Sequence, residues 1–169
     1  MTKQGVGAEI GVHKGDFSAS ILQIAKPKRL YLIDPWKCFD TAQHKASLFG
    51  SDNVTQADMD ARFKDVEKRF EKAAAVKIVR ELSGDAAGKL RDKELDFVYI
   101  DGDHNYEGVR ADLENFYPKV KLGGQIFLDD YSLTGWWRDG VVRATHEFLA
   151  KYPCRIAFVM DNQVCIQKL

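Results

Sequence analysis

Short runs of β-branched and aromatic residues alternate along this chain with stretches in which apolar residues recur every three to four positions. The runs are typical of buried strands, and the recurring stretches are typical of amphipathic helices. The predicted strands are residues 8–12 (AEIGV), 29–34 (RLYLID), 76–82 (VKIVREL), 95–101 (LDFVYID) and 124–130 (GQIFLDD). Because helical stretches separate these strands, we expect an α/β fold in which a parallel sheet is covered by helices on both faces.

One recurring stretch is regular enough to predict a single helix. Its apolar residues Met59, Phe63, Val66 and Phe70 have helical spacing, and charged residues fill the positions between them. The segment from residue 57 to residue 72 is therefore expected to be a helix with one buried face.

The end of the chain predicts a hairpin. Residues 155–160 (RIAFVM) and 164–169 (VCIQKL) are both mainly apolar, and the three residues between them (DNQ) are too few for a helical crossover. The two runs should therefore pair as antiparallel strands.

The composition excludes partners that are bound by bulk charge. The chain has 169 residues, which suits one domain over residues 1–169, and its 25 Lys and Arg balance its 25 Asp and Glu. A protein without net charge has no overall basic field for nucleic acid or an anionic membrane, so we expect neither as a partner. A ligand must instead be recognised locally, as a small molecule would be.

The cysteines and the first residues indicate the cytoplasm. Cys38, Cys154 and Cys165 are an odd number without metal-type spacing, which favours free thiols in a reducing compartment. The opening MTKQGVGAEIG lacks the apolar core of a signal peptide, and no run is long enough to span a bilayer. We therefore expect a cytoplasmic protein.

A glycine turn follows the first predicted strand. The strand ends at Gly11, and Gly15 precedes a predicted helix, so bare backbone and a helix N-terminus can approach a nucleotide. The GxGxxG spacing of dinucleotide-binding loops is absent, since His13 stands in place of a glycine, and a turn without a ligand fits the same residues. Asp34 ends the second strand about twenty residues later, where a carboxylate can accept both hydroxyls of a ribose, although it could equally cap the next turn. Together, the turn and Asp34 imply a cofactor that carries adenosine.

Acidic residues and a histidine cluster where the fourth and fifth predicted strands end. Asp101 ends the fourth strand, and Asp129 and Asp130 end the fifth. If the two strands are adjacent, three carboxylates without a neighbouring Lys or Arg form the kind of oxygen site that Mg²⁺, Mn²⁺ or Ca²⁺ prefers. His104 or Asp103 is then the candidate base for a substrate hydroxyl. The simpler alternative is that Asp129 and Asp130 only cap a turn and that Asp101 binds only the amino group of the cofactor. His104 would then cap or pack near the start of the following helix.

Several segments carry a family resemblance: AEIGVHKGDFSASIL, LYLIDPW, GVVRATHEFL and, most specifically, DFVYIDGDHNYEGVRADLENFYPKVKLGGQIFLDDY. They resemble the class I S-adenosylmethionine-dependent methyltransferases, and within them the macrocin-type, metal-dependent sugar O-methyltransferases. The resemblance implies a Rossmann-like three-layer sandwich whose seven-stranded, mostly parallel sheet has an antiparallel last strand. It also implies transfer of a methyl group from S-adenosylmethionine to a hydroxyl of a small molecule such as a sugar or a polyphenol.

The resemblance also assigns cofactor-binding residues. They are Glu9, Gly11, Gly15, Asp34, Ser83, Asp85, Ala86 and Asp101. Glu9 and the two glycines would surround the methionine part, and Asp34 would bind the ribose. Asp85 would meet the adenine amino group, although the segment from Ser83 to Asp85 equally fits a helix cap.

The same resemblance implies a divalent cation, most readily Mg²⁺, held by Asp101, Asp129 and Asp130. Such an ion would lower the pKa of the acceptor hydroxyl and hold its oxygen in line with the methyl group. Trp136 and Trp137 follow the fifth strand and are candidate acceptor-binding residues, although paired aromatics are as often buried anchors. The remaining histidines (His13, His44 and His146) have no cluster around them in the sequence.

A methyltransferase site of this kind needs an element that covers it. Relatives usually carry helices before the first strand, whereas the first strand begins almost at once here. We therefore expect residues 36–55 or a second subunit to close the site, so a homo-oligomer is one expectation. The main alternative function is a non-catalytic cofactor-binding protein on the same fold. A metallophosphoesterase is disfavoured because the chain lacks the further histidines that such sites need.

Overall fold

The computed structural model describes residues 1–39, 41, 44, 46–47, 49–50 and 53–169. Its strands are β1 (Val6–Ile10), β2 (Arg29–Ile33), β3 (Val76–Val79), β4 (Leu95–Ile100), β5 (Val120–Leu128), β6 (Cys154–Met160) and β7 (Gln163–Lys168). Its α-helices are α1 (Asp16–Ala25), α2 (Gln56–Phe70), α3 (Ser83–Lys89), α4 (Tyr106–Phe116) and α5 (Gly140–Lys151). A short 3-10 helix, Tyr117–Lys119, leads from α4 into β5.

The strands form one seven-stranded sheet in the order β3-β2-β1-β4-β5-β7-β6. The first five strands of the chain are parallel to one another. β7 runs antiparallel to both β5 and β6, so the predicted hairpin and the antiparallel last strand are confirmed. The strand order reverses between β1 and β4, and open α/β sheets bind their ligands beyond the carboxyl ends of the strands at such a point.

Several strand ends differ from the prediction. Gly11 has a φ of 85°, outside the extended region, so β1 ends at Ile10 and not at residue 12. Asp101 and Asp129, which the sequence prediction placed within strands, lie in the turns directly after β4 and β5. β5 also begins earlier than predicted, at Val120, whose partner in the ladder is Leu95.

Two hydrophobic cores lie on the two faces of the sheet. Alternate side chains of β4 enter opposite cores: Val98 and Ile100 on one face, Phe97 and Tyr99 on the other. The first core also contains residues of α3, α4 and α5, and the second contains residues of α1 and α2. Because the central strands are buried on both faces, they are almost uniformly apolar, and polar groups concentrate at the strand ends.

The helix α2 forms as predicted. Its start is fixed by a capping box, in which the Asp58 N–H donates to the Thr55 side chain and the Thr55 N–H donates to the Asp58 carboxylate. Met59, Val66 and Phe70 are buried, so the face that packs against the sheet is the one that the spacing indicates.

Cys38, Cys154 and Cys165 are free thiols, and Cys165 is buried. Within the described ranges, no helix has the length and apolar character to cross a membrane. The cytoplasmic location itself stays a prediction.

Candidate active site

A cavity of about 640 Å³ opens where β1, β2, β4 and β5 end. It lies over the point at which the strand order reverses, the expected place for a ligand. The residues that line it include Gly11, His13, Asp34, Ser83, Asp101, Gly102, Asp103, His104, Asp112, Asp129, Asp130, Trp136 and Trp137. The parallel sheet thus gathers side chains from distant parts of the chain around one space.

The glycine turn holds the ends of β1 and β4 close together. A Cβ atom on Gly11 would lie 2.0 Å from the carbonyl oxygen of Asp101, so only glycine fits at this position. Gly15 has a φ of 77° and is the N-cap of α1, where no side chain caps the helix. Gly11 lines the cavity as bare backbone, as the sequence predicts for a cofactor turn.

Asp34 supports this turn and also faces the cavity. Its Oδ2 atom accepts the N–H groups of Val12 and His13, both at 2.9 Å, and its Oδ1 atom accepts the N–H of Trp36 at 2.7 Å. Burial raises the pKa of Asp34, and these three backbone hydrogen bonds oppose the shift. Asp34 therefore caps a turn, as the simpler alternative expects. It also lines the cavity, which its predicted role in ribose binding requires.

Glu9 is buried in β1, two residues before the turn. It is 1% exposed, and the Ser18 hydroxyl donates a hydrogen bond to its Oε2 atom. Burial raises the pKa of Glu9 to about 8; the hydrogen bond from Ser18 lowers it, and the charges of Asp101 and Asp34 raise it. The neutral carboxyl is favoured at neutral pH, and its hydrogen bond with Ser18 connects β1 to α1. Its assignment to the methionine part of a cofactor stays a prediction.

The residues that the resemblance assigns to the adenine part of the cofactor lie in three different environments. Ser83 lines the cavity, and its hydroxyl donates to the Oδ1 atom of Asp112 at 2.5 Å. Asp85 is exposed on α3, and Ala86 packs into the hydrophobic core. The N-cap of α3 is Leu82 without a side-chain cap bond, so the helix-cap alternative for this segment is wrong.

His104 connects the ends of β4 and β5. Its Nε2 atom lies 3.2 Å from Oδ1 of Asp101, and its Nδ1 atom lies 3.0 Å from Oδ2 of Asp130. Burial raises the pKa of Asp101 to about 6, against the opposing effect of the His104 hydrogen bond. Burial lowers the pKa of His104, but Asp101, Asp130 and Asp129 outweigh it, and the net pKa is raised. A protonated imidazole therefore offsets the repulsion between the carboxylates.

Asp103, the second candidate base, is held by other partners. Its Oδ2 atom lies 3.0 Å from Nε2 of His44, and its oxygens accept hydrogen bonds from the backbone and side chain of Asn105. Asn105 in turn caps α4 by accepting the N–H of Gly108. Asp103 thus fixes the start of α4 and connects it to His44.

The predicted metal ligands do not form a cation site as they are placed. Asp129 accepts a hydrogen bond from the Gln163 side chain at 2.9 Å, and the His104 imidazole lies between Asp101 and Asp130. Within the part of the chain that the structure describes, no group of three or more His, Cys, Asp or Glu side chains is arranged to hold a metal ion. The structure therefore gives no support to the metal site at Asp101, Asp129 and Asp130, which stays a prediction from the resemblance.

The loop after β5 forms an aromatic wall beside His104. The ring of Trp136 is nearly parallel to the imidazole at 6.3 Å between centroids, and the ring of Trp137 meets it edge-on at 5.3 Å. Both tryptophans line the cavity, as expected of acceptor-binding residues. The Nε1 atom of Trp137 is buried, and no hydrogen-bond partner for it is found among the described residues.

Two histidines reach the cavity although the sequence shows no cluster around them. His44 contacts Asp103, and His13 lines the wall beside Asp34, so for these two the expectation of isolation is wrong. His146 instead stacks on Tyr131. Sequence spacing carries no signal for His13 or His44, because their neighbours come from other elements of the fold.

Part of the segment predicted to close the site does line the cavity. Its described contributors are Trp36, Lys37, Phe39, His44, Ala46 and Phe49. Residues 40, 42, 43, 45, 48, 51 and 52 of this segment lie outside the described residues, so closure by the whole segment stays a prediction.

Comparison with known proteins identifies the family. A model of the methyltransferase domain family matches residues 8–131. Among curated proteins, the uncharacterized protein R132 of Acanthamoeba polyphaga mimivirus is 43% identical over 42 residues, which are 25% of this chain and 19% of that protein. The chain thus matches only a small part of that relative's length.

Solved structures share the fold. The O-methyltransferase NovP has a TM-score of 0.64 at 20% identity, over 97% of this chain and 72% of NovP. The fibrillarin of Aeropyrum pernix, solved with natively bound S-adenosyl-L-methionine, has a TM-score of 0.66 at 9% identity, over 98% of this chain and 67% of that protein. The family match begins within β1 and continues past the end of β5, so it includes the strand ends that line the cavity. This chain belongs to the methyltransferase domain family.

Proposed function

We propose that this chain transfers a methyl group from S-adenosylmethionine to a hydroxyl oxygen of a small-molecule acceptor. The observation that carries the proposal is that one cavity holds both the turn of Gly11 and Asp34 and the cluster of Asp101, His104 and Asp130. The first set suits an adenosine-bearing cofactor, and the second suits a group that must lose a proton. The cofactor bound to fibrillarin and the name of NovP support the same chemistry.

The reaction needs a deprotonated oxygen in line with the sulfonium. S-adenosylmethionine, held by the turn of Gly11 and by Asp34, would supply the methyl group to the acceptor oxygen and would leave as S-adenosylhomocysteine. The hydroxyl proton passes to the carboxylate of Asp101, whose pKa is about 6 and which faces the cavity, while the protonated His104 holds that carboxylate in place. Asp103 orients this pair through the start of α4 and is a weaker candidate base, since its oxygens already accept hydrogen bonds.

The acceptor would lie against the aromatic wall. Trp136 and Trp137 offer flat apolar faces within reach of His104, which suits a phenolic ring or the apolar face of a sugar. The balanced net charge of the chain favours a small acceptor over a nucleic acid. The resemblance also implies a divalent cation on Asp101, Asp129 and Asp130. Binding of such an ion would require the His104 ring to leave the space between Asp101 and Asp130.

The test is methyl transfer from methyl-labelled S-adenosylmethionine to a panel of sugars, nucleotide sugars, catechols and simple phenols. Mass spectrometry of the product locates the label, and we expect it on oxygen. Label on nitrogen or carbon would contradict O-methylation. Binding of S-adenosylhomocysteine by calorimetry, together with no transfer to any member of the panel, would instead favour a non-catalytic cofactor-binding protein.

A further inference from the structure

The strongest unexplained feature beside the reaction centre is a buried carboxyl on α4. Asp112 is 4% exposed, and the other buried residues of the helix are the apolar Val109, Leu113 and Phe116. A carboxyl in such surroundings is unfavourable unless it is paired or has a ligand to bind. The Ser83 hydroxyl donates a hydrogen bond to the Oδ1 atom of Asp112. The steps proposed for the methyl transfer do not involve Asp112.

The second oxygen of Asp112 faces the cavity wall near Gly102. A Cβ atom on Gly102 would lie 3.6 Å from Oδ2 of Asp112 and 3.5 Å from a methyl carbon of Ile10. Gly102 carries no side chain, so the carboxyl remains accessible from the cavity, and Asp112, Gly102 and Ser83 all line it. This corner is therefore bounded by α3, by the turn after β4 and by α4.

The strand order fixes which part of the cofactor reaches this corner. The reaction centre lies at the ends of β4 and β5, and Asp34 lies at the end of β2. β3 is the next strand beyond β2, and Ser83 follows β3 by four residues. A cofactor with its sulfonium near His104 and its ribose at Asp34 thus directs its base towards Ser83. Leu82, Ile33 and Pro35 supply apolar surface on the same wall for the faces of a purine.

We propose that Asp112, held by Ser83, binds the exocyclic amino group of the cofactor's adenine. The proposal rests on the proposed cofactor and concerns only which residue recognises its base. It replaces Asp85, which the resemblance assigns to this contact and which is exposed on α3. Burial raises the pKa of Asp112 to about 7, so the neutral carboxyl is also available and can donate to a ring nitrogen while accepting from the amino group.

The test compares two ligands by titration calorimetry. One is S-adenosylhomocysteine, and the other is its analogue with hydrogen in place of the adenine amino group. We expect wild-type protein to bind the analogue at least about tenfold more weakly than S-adenosylhomocysteine. Without the adenine amino group, the buried carboxyl of Asp112 has no donor for its hydrogen bond. In Asp112→Ala the ratio of the two affinities should fall to about twofold or less, whatever happens to the absolute affinity. In Asp112→Asn the ratio should be retained, because the amide oxygen still accepts.

Two further variants test whether the effect is specific to Asp112. Glu107→Ala removes an exposed carboxylate from the same helix and should leave the ratio unchanged. If Asp85→Ala abolishes the ratio while Asp112→Ala keeps it, the resemblance is correct and our assignment is overturned. Equal binding of both ligands by wild-type protein overturns it as well, even if Asp112→Ala does not fold. Failure of S-adenosylhomocysteine to bind wild-type protein would instead contradict the proposed function.

Discussion

The Nε2 atom of His104 lies 3.2 Å from the Oδ1 atom of Asp101, across the start of the turn that follows β4. The other ring nitrogen contacts Asp130 at the end of β5, so one imidazole neutralises two carboxylates that the sheet brings together. The chain tolerates a cluster of acids at a strand end because the positive charge of His104 offsets the repulsion between the carboxylates. It also couples the proton affinity of Asp101 to that of His104.

We expect His104→Gln to slow the chemical step by ~10²–10⁴, the usual contribution of a positioned acid or base. Affinity for S-adenosylhomocysteine should stay close to that of wild type, since the contacts of Gly11 and Asp34 are untouched. Single-turnover rates and calorimetry measure the two effects. His146→Gln, at an exposed histidine stacked on Tyr131, is the matched control. An unchanged rate in His104→Gln would remove the residue from the mechanism.

Asp34→Ala should weaken the binding of S-adenosylhomocysteine by about 1–3 kcal/mol through lost charge-assisted hydrogen bonds. Part of the loss reflects the turn, because Asp34 also accepts the N–H groups of Val12 and His13. Asp65→Ala, at an exposed carboxylate on α2, serves as the control. Equal affinities for the two variants in calorimetry would contradict the ribose assignment.

Two glycine substitutions should have opposite effects on stability. In Gly11→Ala the new Cβ would lie 2.0 Å from the Asp101 carbonyl oxygen at a φ of 85°, so we expect destabilisation of about 1–3 kcal/mol or more. In Gly88→Ala nothing lies within 4 Å of the new Cβ on α3, so we expect stabilisation by about 0.4–1 kcal/mol. Urea unfolding measures both. Equal stability of the two variants would contradict the close approach of β1 and β4.

Removal of the imidazole should strengthen any binding of a divalent cation at the carboxylates. His104 occupies the space between Asp101 and Asp130 and carries the competing positive charge. We therefore expect His104→Ala to bind Mg²⁺ about tenfold more tightly than wild-type protein, which is ~1.4 kcal/mol. Calorimetric titration of chelator-treated protein with MgCl₂ measures this. Equal or weaker binding in the variant would show that the imidazole does not compete with the ion.

Glu9 should make the protein less stable as the pH rises. Its pKa is about 8 in the folded protein and 4.5 in an unperturbed chain, so below pH 4.5 both states are protonated and pH has no effect through this group. Between these values the unfolded state ionises first, and the free energy of unfolding falls by up to ~1.4 kcal/mol per pH unit. Glu9→Gln, neutral at every pH, should lose the part of the slope that comes from Glu9 in urea unfolding measured from pH 5 to 8, whereas the parts from Asp101 and Asp112 should remain. The same slope in both proteins would contradict a buried neutral carboxyl.

The sequence by itself determined the strand pattern, the hairpin and the turn at Gly11. Strand periodicity and loop length are local properties, so residues 29–34 and 155–160 indicate their elements without reference to the rest of the chain. The acids at the strand ends could also be found, because parallel strands bring their carboxyl ends to one edge. What these acids contact could not be predicted in this way.

Only the tertiary structure decided which groups meet. The contacts of His44 with Asp103 and of Asp112 with Ser83 join residues 59 and 29 positions apart, and no spacing rule predicts such pairs. The sequence also placed three aspartates close enough for a cation, whereas the fold sets the His104 ring between Asp101 and Asp130. Side-chain partners are chosen by packing between helices and strand ends, where desolvation makes each unpaired charge unfavourable, so the outcome depends on all neighbouring elements at once.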